Sequence, residues 1–434
     1  PNELMSIVKM DEGYTIIGSN FGGGGMKGGG GKKVTLFGVG RLGICTALCL
    51  EKAGYDVLGV DINQRYADAI NNKTLNSPEP RVNEMLRLSR NFRASTDEDE
   101  AMAFSDMIMV VVATPSTGQD DRHYDTSTLS SLLSLFNNKK LKNKHIVICC
   151  TVMPGYVRQT GRFLIRDCEN CTLSYNPEFI AQGDVINGLL QPDMVLIGEG
   201  SKEAGDMLER MYRDFVENSP QVKRMSPESA EITKLAINCF VTTKVAFANM
   251  IGDCADRTEG ADKHAILSAV GADSRIGGKY LRPGYGFGGP CFPRDNRALG
   301  QHIKNCGIEP HIPMATDQAN KAHTALQADD LLKSSKVGDA FVFDAIGYKE
   351  NCTVPIIEES QKLYIAIVLA KNGRKVTLRD RGNLILAAQQ AYGSLFQYDI
   401  LNMGGEEPVV TQPGAAAHAA RSMGSSDSYG VRRI

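Results

Sequence analysis

Residues 33–61, KVTLFGVGRLGICTALCLEKAGYDVLGVD, read as strand, tight turn, helix and strand in one pass. The apolar run VTLFGV ends on GVGRLG, which places Gly38, Gly40 and Gly43 at G-x-G-x-x-G spacing. Gly38 permits the tight turn, Gly40 lets backbone approach a pyrophosphate, and Gly43 lets the helix pack against the strand. The helix N-terminus that follows attracts negative charge. Gly54 closes the helix and the next strand ends on Asp61, eighteen residues after Gly43, near the position expected to bind a ribose. A glycine-rich turn by itself is common in α/β proteins, and the purely structural turn is the alternative reading. The flanking strand, helix and acid favour a dinucleotide site. Asp61 accepts hydrogen bonds from ribose hydroxyls and repels a 2′-phosphate, so NAD is expected rather than NADP, with Arg65 close enough to bear on that choice. Arg41 and Leu42, at the start of the helix, join the expected cofactor set.

Outward from this unit the alternation continues. A helix near Ala67, the strand DMIMVVVATP (106–115), a helix around Leu129 to Leu135 and the strand HIVICCTV (145–152) imply a parallel sheet with both faces covered. Thr114 and Thr151 fall at strand ends that face the ligand crevice of such a sheet, where their hydroxyls order cofactor or water, or else satisfy local turns. The stretch 226–257 reads as a long helix with Ser226 as N-cap, Pro227 in the first position and Glu228 in the first turn. After Val337, strand, helix and strand recur over 338–380. The expected fold is α/β: an N-terminal Rossmann-type parallel-sheet domain over 33–220, a central helical region over 221–325 and a second, smaller α/β domain over 326–402. The glycine-rich segment 1–32 reads as a flexible lead, and 403–434, without apolar period, as a loosely ordered tail.

With 42% hydrophobic and 23% charged residues and a formal net charge of −2, the chain fits a multidomain globular class, and nucleic acid is not an expected partner. No run of about 18 apolar residues predicts a membrane span, and the first residues lack the basic-then-apolar order of a secretion signal, so a cytoplasmic location is expected. Eleven cysteines are too sparse for a disulfide scaffold, and Cys45, Cys49 and Cys239 fall on apolar helix faces. The pair Cys168 and Cys171 has no partner motif at zinc spacing, so no metal is expected.

Three stretches carry chemistry. Lys234 and Asn238 lie one turn apart on one face of the long helix, amid Ile232, Leu235, Ala236, Cys239 and Phe240. Partly buried, they would stabilise an oxyanion; facing water, they would do nothing of the kind. Cys291 stands in GYGFGGPCFPRD (284–295), where Gly286, Gly288 and Gly289 allow irregular backbone that exposes a thiol. Phe287 and Phe292 can exclude water there, and Arg294 and Asp295 supply charge for thiolate tuning or proton transfer. Nucleophile, structural cysteine and metal ligand stay open on local grounds, in that order. Glu178, in YNPEFIAQGDVI, is a general acid or base, or a capping carboxylate.

GVGRLG, NPEFIAQG (176–183), ITKLAIN (232–238), DSRIGGKYLRPGYGFGGPCFPRD (273–295) and GYK (347–349), in that order, resemble the UDP-glucose/GDP-mannose dehydrogenase family across roughly 33–350. The resemblance implies two NAD-dependent oxidations of a sugar C6 alcohol to a uronic acid through a sulfur-bound intermediate on Cys291. It implies oxyanion stabilisation by Lys234 and Asn238, activation of thiol or water by Asp295, and water positioning by Thr114 and Glu178. Phe179, Ile180, Arg275, Tyr280, Gly288, Phe292 and Lys349 would line the nucleotide-sugar site. Gln182 and Arg294, standing where the family commonly has glutamate and lysine, would contact the cofactor; Cys150 stands where it has serine. Phe292 directly after the cysteine favours UDP-glucose over GDP-mannose, and the long helix is expected to build a homodimer or larger assembly. The family's Asp-x-Arg-Glu-Ser run is replaced by NCTVPIIEES (351–360), which keeps only Glu359 and Ser360, and no typical final sheet is expected after it. A non-catalytic nucleotide-sugar or NAD-binding module is the alternative class.

Overall fold

The computed structural model describes residues 32–117, 123–349, 354–401 and 431–433. The expected lead therefore lies outside the described residues apart from Lys32, and so does 403–430 of the expected tail.

Eight strands form the large sheet: β1 (Lys33–Phe37), β2 (Asp56–Val60), β3 (Phe92–Ser95), β4 (Met107–Val110), β5 (His145–Ile148), β6 (Thr172–Tyr175), β7 (Met194–Gly198) and β8 (Gln221–Met225). Their order is β8-β7-β6-β5-β4-β1-β2-β3. Neighbours run parallel except β6 and β7, which meet antiparallel where Tyr175 faces Gly198. Period-two alternation divides the core. Val34 and Leu36 of β1 enter one apolar cluster with helix α1 (Arg41–Lys52), while Phe37 enters the cluster on the other side, edge-on to Phe136 at 5.1 Å. Thr35 also points to that second side, where its hydroxyl donates to the Ala101 carbonyl at 3.0 Å. Both faces are thus covered, as a parallel sheet requires. Cys45 and Cys49 are buried within α1, and like Cys239 they are free thiols.

Helix α2 (Lys202–Phe215) covers the far half of the sheet and precedes the long helix α3 (Pro227–Ala255). Ser226 Oγ accepts from the Ser229 amide at 3.2 Å and Pro227 opens the helix, as the sequence predicts. Two further helices, α4 (Phe292–Asn305) and α5 (His311–Lys333), pack against α3 and each other. By length and composition α3 qualifies as a membrane span, contrary to the expectation that none exists. Its buried Glu231, Lys234 and Asn238 and its packing against α4 and α5 make it a core helix.

The second sheet comprises β9 (Ala340–Asp344), β10 (Lys375–Asp380), β11 (Gln397–Ile400) and β12 (Val431–Arg433), all parallel in the order β11-β10-β9-β12. Helix α6 (Gln361–Lys371) crosses from β9 to β10, with Phe341, Phe343, Leu363, Ala366 and Leu378 in its own core. The strand, helix and strand expected over 338–380 fall in this sheet, which two further strands complete, and Val431–Arg433 of the expected loose tail are strand. Three residues are too few to display an alternation, and their pairing with β9 depends on a partner about ninety residues earlier.

Candidate active site at the sheet switch point

Strand β1 has β4 on one side and β2 on the other, so the strand order reverses there and a crevice opens at the carboxyl ends. The glycines of the quoted stretch make it. Gly38 has φ +95°, and a Cβ on it would sit 2.6 Å from the Val111 carbonyl oxygen. A Cβ on Gly43 would sit 2.0 Å from the Gly38 oxygen, so any side chain there separates helix from turn. Gly40 faces open space, and α1 starts beyond it with no side-chain cap. Amide groups of the first turn are therefore left facing the crevice, ready for an anion. Asp61, just past β2, is half-buried, holds the Asn63 amide at 2.9 Å and has its pKa pushed up by burial. Arg65 is exposed on the following helix. An uncapped helix start, a cradle a Cβ would fill and an acid at the next strand end fit NAD.

The far wall of the crevice is the loop after β6. Arg41 donates to Gln182 Oε1, so two of the expected cofactor residues hold each other. Glu79, which sequence reasoning missed, is 2% exposed and accepts from the Gly183 amide at 2.8 Å. It fixes this loop from below. Thr114 donates its hydroxyl to the Thr151 carbonyl at 2.7 Å, which ties the ends of β4 and β5 together. That proton is thus committed to the end of a neighbouring strand rather than to a local turn, while the oxygen still has lone pairs to offer.

A second cluster adjoins the crevice. Lys234 and Asn238 are 7% and 8% exposed, which settles the water-facing alternative against them. Lys234 Nζ donates to the Glu178 carbonyl at 2.6 Å and lies 4.7 Å from the centre of the Phe179 ring. Asn238 Nδ2 donates to Asp295 Oδ2 at 2.7 Å. Asp295, 1% exposed, also receives Tyr124 OH on Oδ1 at 2.8 Å and Arg294 Nε at 3.3 Å. Arg294 additionally reaches the Thr114 carbonyl at 3.2 Å, joining this cluster to the crevice. Cys291 is the residue immediately before α4, one turn from Asp295.

The thiol departs from expectation. Burial first, and the charge of Asp295 second, push its pKa up, against the opposing pull of Arg294 and Lys234. The neighbouring charges do not create a low-pKa thiolate, because desolvation outweighs the two cations. The glycines also do something other than expose sulfur. A Cβ on Gly288 would lie 2.2 Å from the Glu359 carbonyl oxygen, and one on Gly289, at φ +82°, would lie 2.3 Å from the Tyr348 ring. They let the cysteine loop lie flush on the second α/β domain, where the Gly289 amide donates to the Glu358 carbonyl at 2.9 Å. Arg297 of α4 strengthens that contact by gripping Glu359 at 2.6 Å, and is itself held by Asp317 of α5 at 3.0 Å.

Glu178 sits beside Tyr212, whose hydroxyl lies 2.9 Å from both Asn176 Oδ1 and Glu178 Oε1. Burial pushes the carboxyl's pKa up, a direction that suits a group exchanging protons near neutrality. Ile180, partly buried, packs against the core beside Gly188, and Phe292 opens α4 half-buried. Lys349 lies 5.8 Å from the Tyr348 ring centre. Arg275 and Tyr280 are not in this buried cluster: Arg275 is 86% exposed and paired with Asp273 at 2.7 Å, and Tyr280 is half exposed. Glu231, also missed, accepts the Gly155 and Val157 amides at 2.6 and 2.8 Å, and burial raises its pKa to about 7. It lies three residues before Lys234, so the same-face spacing that singled out Lys234 and Asn238 would have found it.

Residues 32–216 match the NAD binding domain of the UDP-glucose/GDP-mannose dehydrogenase family and residues 228–322 match its central domain. The GDP-mannose 6-dehydrogenase of Pseudomonas savastanoi pv. phaseolicola is 30% identical over 348 residues, spanning 76% of this chain and 78% of the relative. The UDP-glucose 6-dehydrogenase of Bacillus subtilis is 29% identical over 310 residues, 69% of this chain and 65% of the relative. Among solved structures, a UDP-glucose dehydrogenase from Pyrobaculum islandicum superposes with a TM-score of 0.77 at 25% identity, covering 86% of this chain and 87% of that one.

Proposed function

The chain belongs to the UDP-glucose/GDP-mannose dehydrogenase family of NAD-binding nucleotide-sugar 6-dehydrogenases, and from that premise we propose that it oxidises UDP-glucose at C6 to UDP-glucuronate through Cys291. The carrying observation is the clustering of Cys291, Asp295, Lys234 and Asn238, joined to the glycine crevice by Arg294 through the Thr114 carbonyl. Gly38, Gly40, Arg41, Leu42, Gly43 and Asp61, with Thr114 and Thr151, would hold NAD. Bound there, NAD⁺ supplies the hydride acceptor for both oxidations.

The protein's own groups do the rest. Loss of hydride from C6 and of the hydroxyl proton, which Glu178 accepts, turns the alcohol into the aldehyde; the Cys291 thiol then passes its proton to Asp295 and adds to that aldehyde, forming a C–S bond and an oxyanion. Lys234, with further ammonium N–H groups beyond the one given to Glu178, and the Asn238 amide stabilise that oxyanion. Loss of hydride from the same carbon leaves a thioester. Water then attacks the carbonyl, the C–S bond breaks, sulfur regains a proton and the carboxylate departs. Glu178, its proton affinity raised by burial, receives or returns the proton of that water. Because burial also raises the thiol's pKa, deprotonation has to be coupled to bound substrate and to the nearby Lys234 and Arg294 charges.

For the substrate, Phe292 after the cysteine and the likeness to the Pyrobaculum islandicum UDP-glucose dehydrogenase support UDP-glucose. GDP-mannose is the second reading, supported by the Pseudomonas relative at 30% identity. Ile232, Phe240, Phe247 and Met250 form an exposed apolar stripe along α3, and it supports a homodimer built on this helix. The deciding experiment is a steady-state comparison of UDP-glucose, GDP-mannose and UDP-N-acetyl sugars, counting NADH per sugar. Two NADH with UDP-glucose is the expected result; one NADH per sugar contradicts the thioester route, and a preference for GDP-mannose replaces the substrate.

A further inference from the structure

Tyr124 has no motif around it, yet it is where the nucleotide-binding sheet reaches the catalytic cluster. It ends a two-stranded ribbon in which Ser116 and Thr117 pair with Tyr124 and His123, directly beyond the Thr114 crevice edge. Its ring is 6% exposed and packs with Leu235 and Cys239 of α3 and Ala298 and Leu299 of α4. Its hydroxyl emerges on the polar side of that packing and donates to Asp295 Oδ1 at 2.8 Å. The Arg294 guanidinium lies over the same ring, 4.8 Å from its centre. Burial and the charge of Asp295 push the phenol's pKa well above its ordinary range, so it stays a donor at all working pH values.

We propose that Tyr124 is a positioning residue for the reaction: its hydroxyl fixes one oxygen of Asp295 while its ring face fixes Arg294, so both charges beside Cys291 are set from the ribbon. Asn238 holds the other Asp295 oxygen, and with both oxygens held the carboxylate has one orientation relative to sulfur. A catalytic group 1 Å out of place costs heavily in rate, which is why such a restraint acts on turnover rather than on affinity. The inference rests on the reading that Cys291 is the nucleophile and Asp295 its partner.

Tyr124→Phe keeps the packing and the ring face and removes only the donor. NADH formation should fall about 10-fold in kcat, the size of one lost hydrogen bond to a charged group, with KM for sugar and NAD⁺ unchanged. In an Asp295→Asn background the same change should cost less than about 2-fold, because the tyrosine acts through the carboxylate. A second readout needs no turnover: iodoacetamide labelling of Cys291, followed by peptide mass spectrometry, should slow about 3-fold in Y124F and not change further in the double variant, since a carboxylate that loses a donor exerts more negative charge on the thiol. Equal losses of kcat in both backgrounds, or unchanged kcat and labelling with a lowered unfolding midpoint, would make Tyr124 a packing residue and overturn the proposal. A wild-type protein that yields no NADH from any nucleotide sugar refutes the proposed reaction instead, and the labelling cycle still decides whether Tyr124 governs Asp295.

Discussion

The crevice and the cysteine cluster are built by opposite means. The crevice is made of backbone from one short stretch: Gly38, Gly40 and Gly43 lie within six residues, and Asp61 closes the same strand-helix-strand unit. The cluster is made of side chains drawn from residue 114 to residue 295, held by hydrogen bonds that span 56, 57, 171 and 180 positions. One depends on what glycine omits, the other on what distant donors agree to share. The two should therefore fail differently when altered.

The largest difference is expected at Cys291. Cys291→Ala should reduce uronate formation to background while NAD⁺ affinity, followed by fluorescence titration, stays within about 2-fold; turnover near normal would take sulfur out of the reaction. Asn238→Ala should come next, lowering kcat by about 10²-fold with little change in NAD⁺ binding, the usual consequence of removing one oxyanion donor. Asp61→Asn tests the other side of the comparison. It should weaken NAD⁺ by roughly 10-fold and narrow the discrimination against NADP⁺, with kcat at saturation nearly intact, and equal effects on both constants would mean the two regions are not separable.

The smallest effect on turnover should come from Glu231, and its signature is in stability. Its folded-state pKa is raised from the ordinary glutamate value of 4.5 to about 7, so between those limits the folded protein keeps a proton that the unfolded chain has lost. Stability then falls as pH rises through this window, by roughly 3 kcal/mol at most. Glu231→Gln should flatten that slope in urea unfolding measured from about pH 4.5 to about pH 7; an unchanged slope would place the proton elsewhere.

The same contrast explains what could be read from the sequence. The glycine turn, Asp61 and the capped start of α3 were legible because each requirement is met by neighbours in the chain. Lys234 and Asn238 were legible as a pair but not as buried, since burial depends on α4 packing on α3 some sixty residues later. The glycines around Cys291 pointed to an unusual backbone but not to the second domain it lies against. Their neighbours, Tyr348 and the Glu359 carbonyl, belong to another domain and leave no local trace. Tyr124 and Tyr212 offered no pattern at all, because a single tyrosine that donates to a remote carboxylate has no period or spacing to betray it. β6 and β7 went unread for a related reason, since short buried strands lack the alternation that marks a half-exposed one, while β3 and β8 are only four and five residues long and too short to display a period.

The flush seating of Gly288 and Gly289 on the second domain has a mechanical consequence. With no side chain of their own to slip or repack, Gly288 and Gly289 seat the cysteine loop directly on the Glu359 backbone and the Tyr348 ring. A displacement of the smaller domain would then carry the cysteine loop with it, so the position of Cys291 would follow how that domain stands.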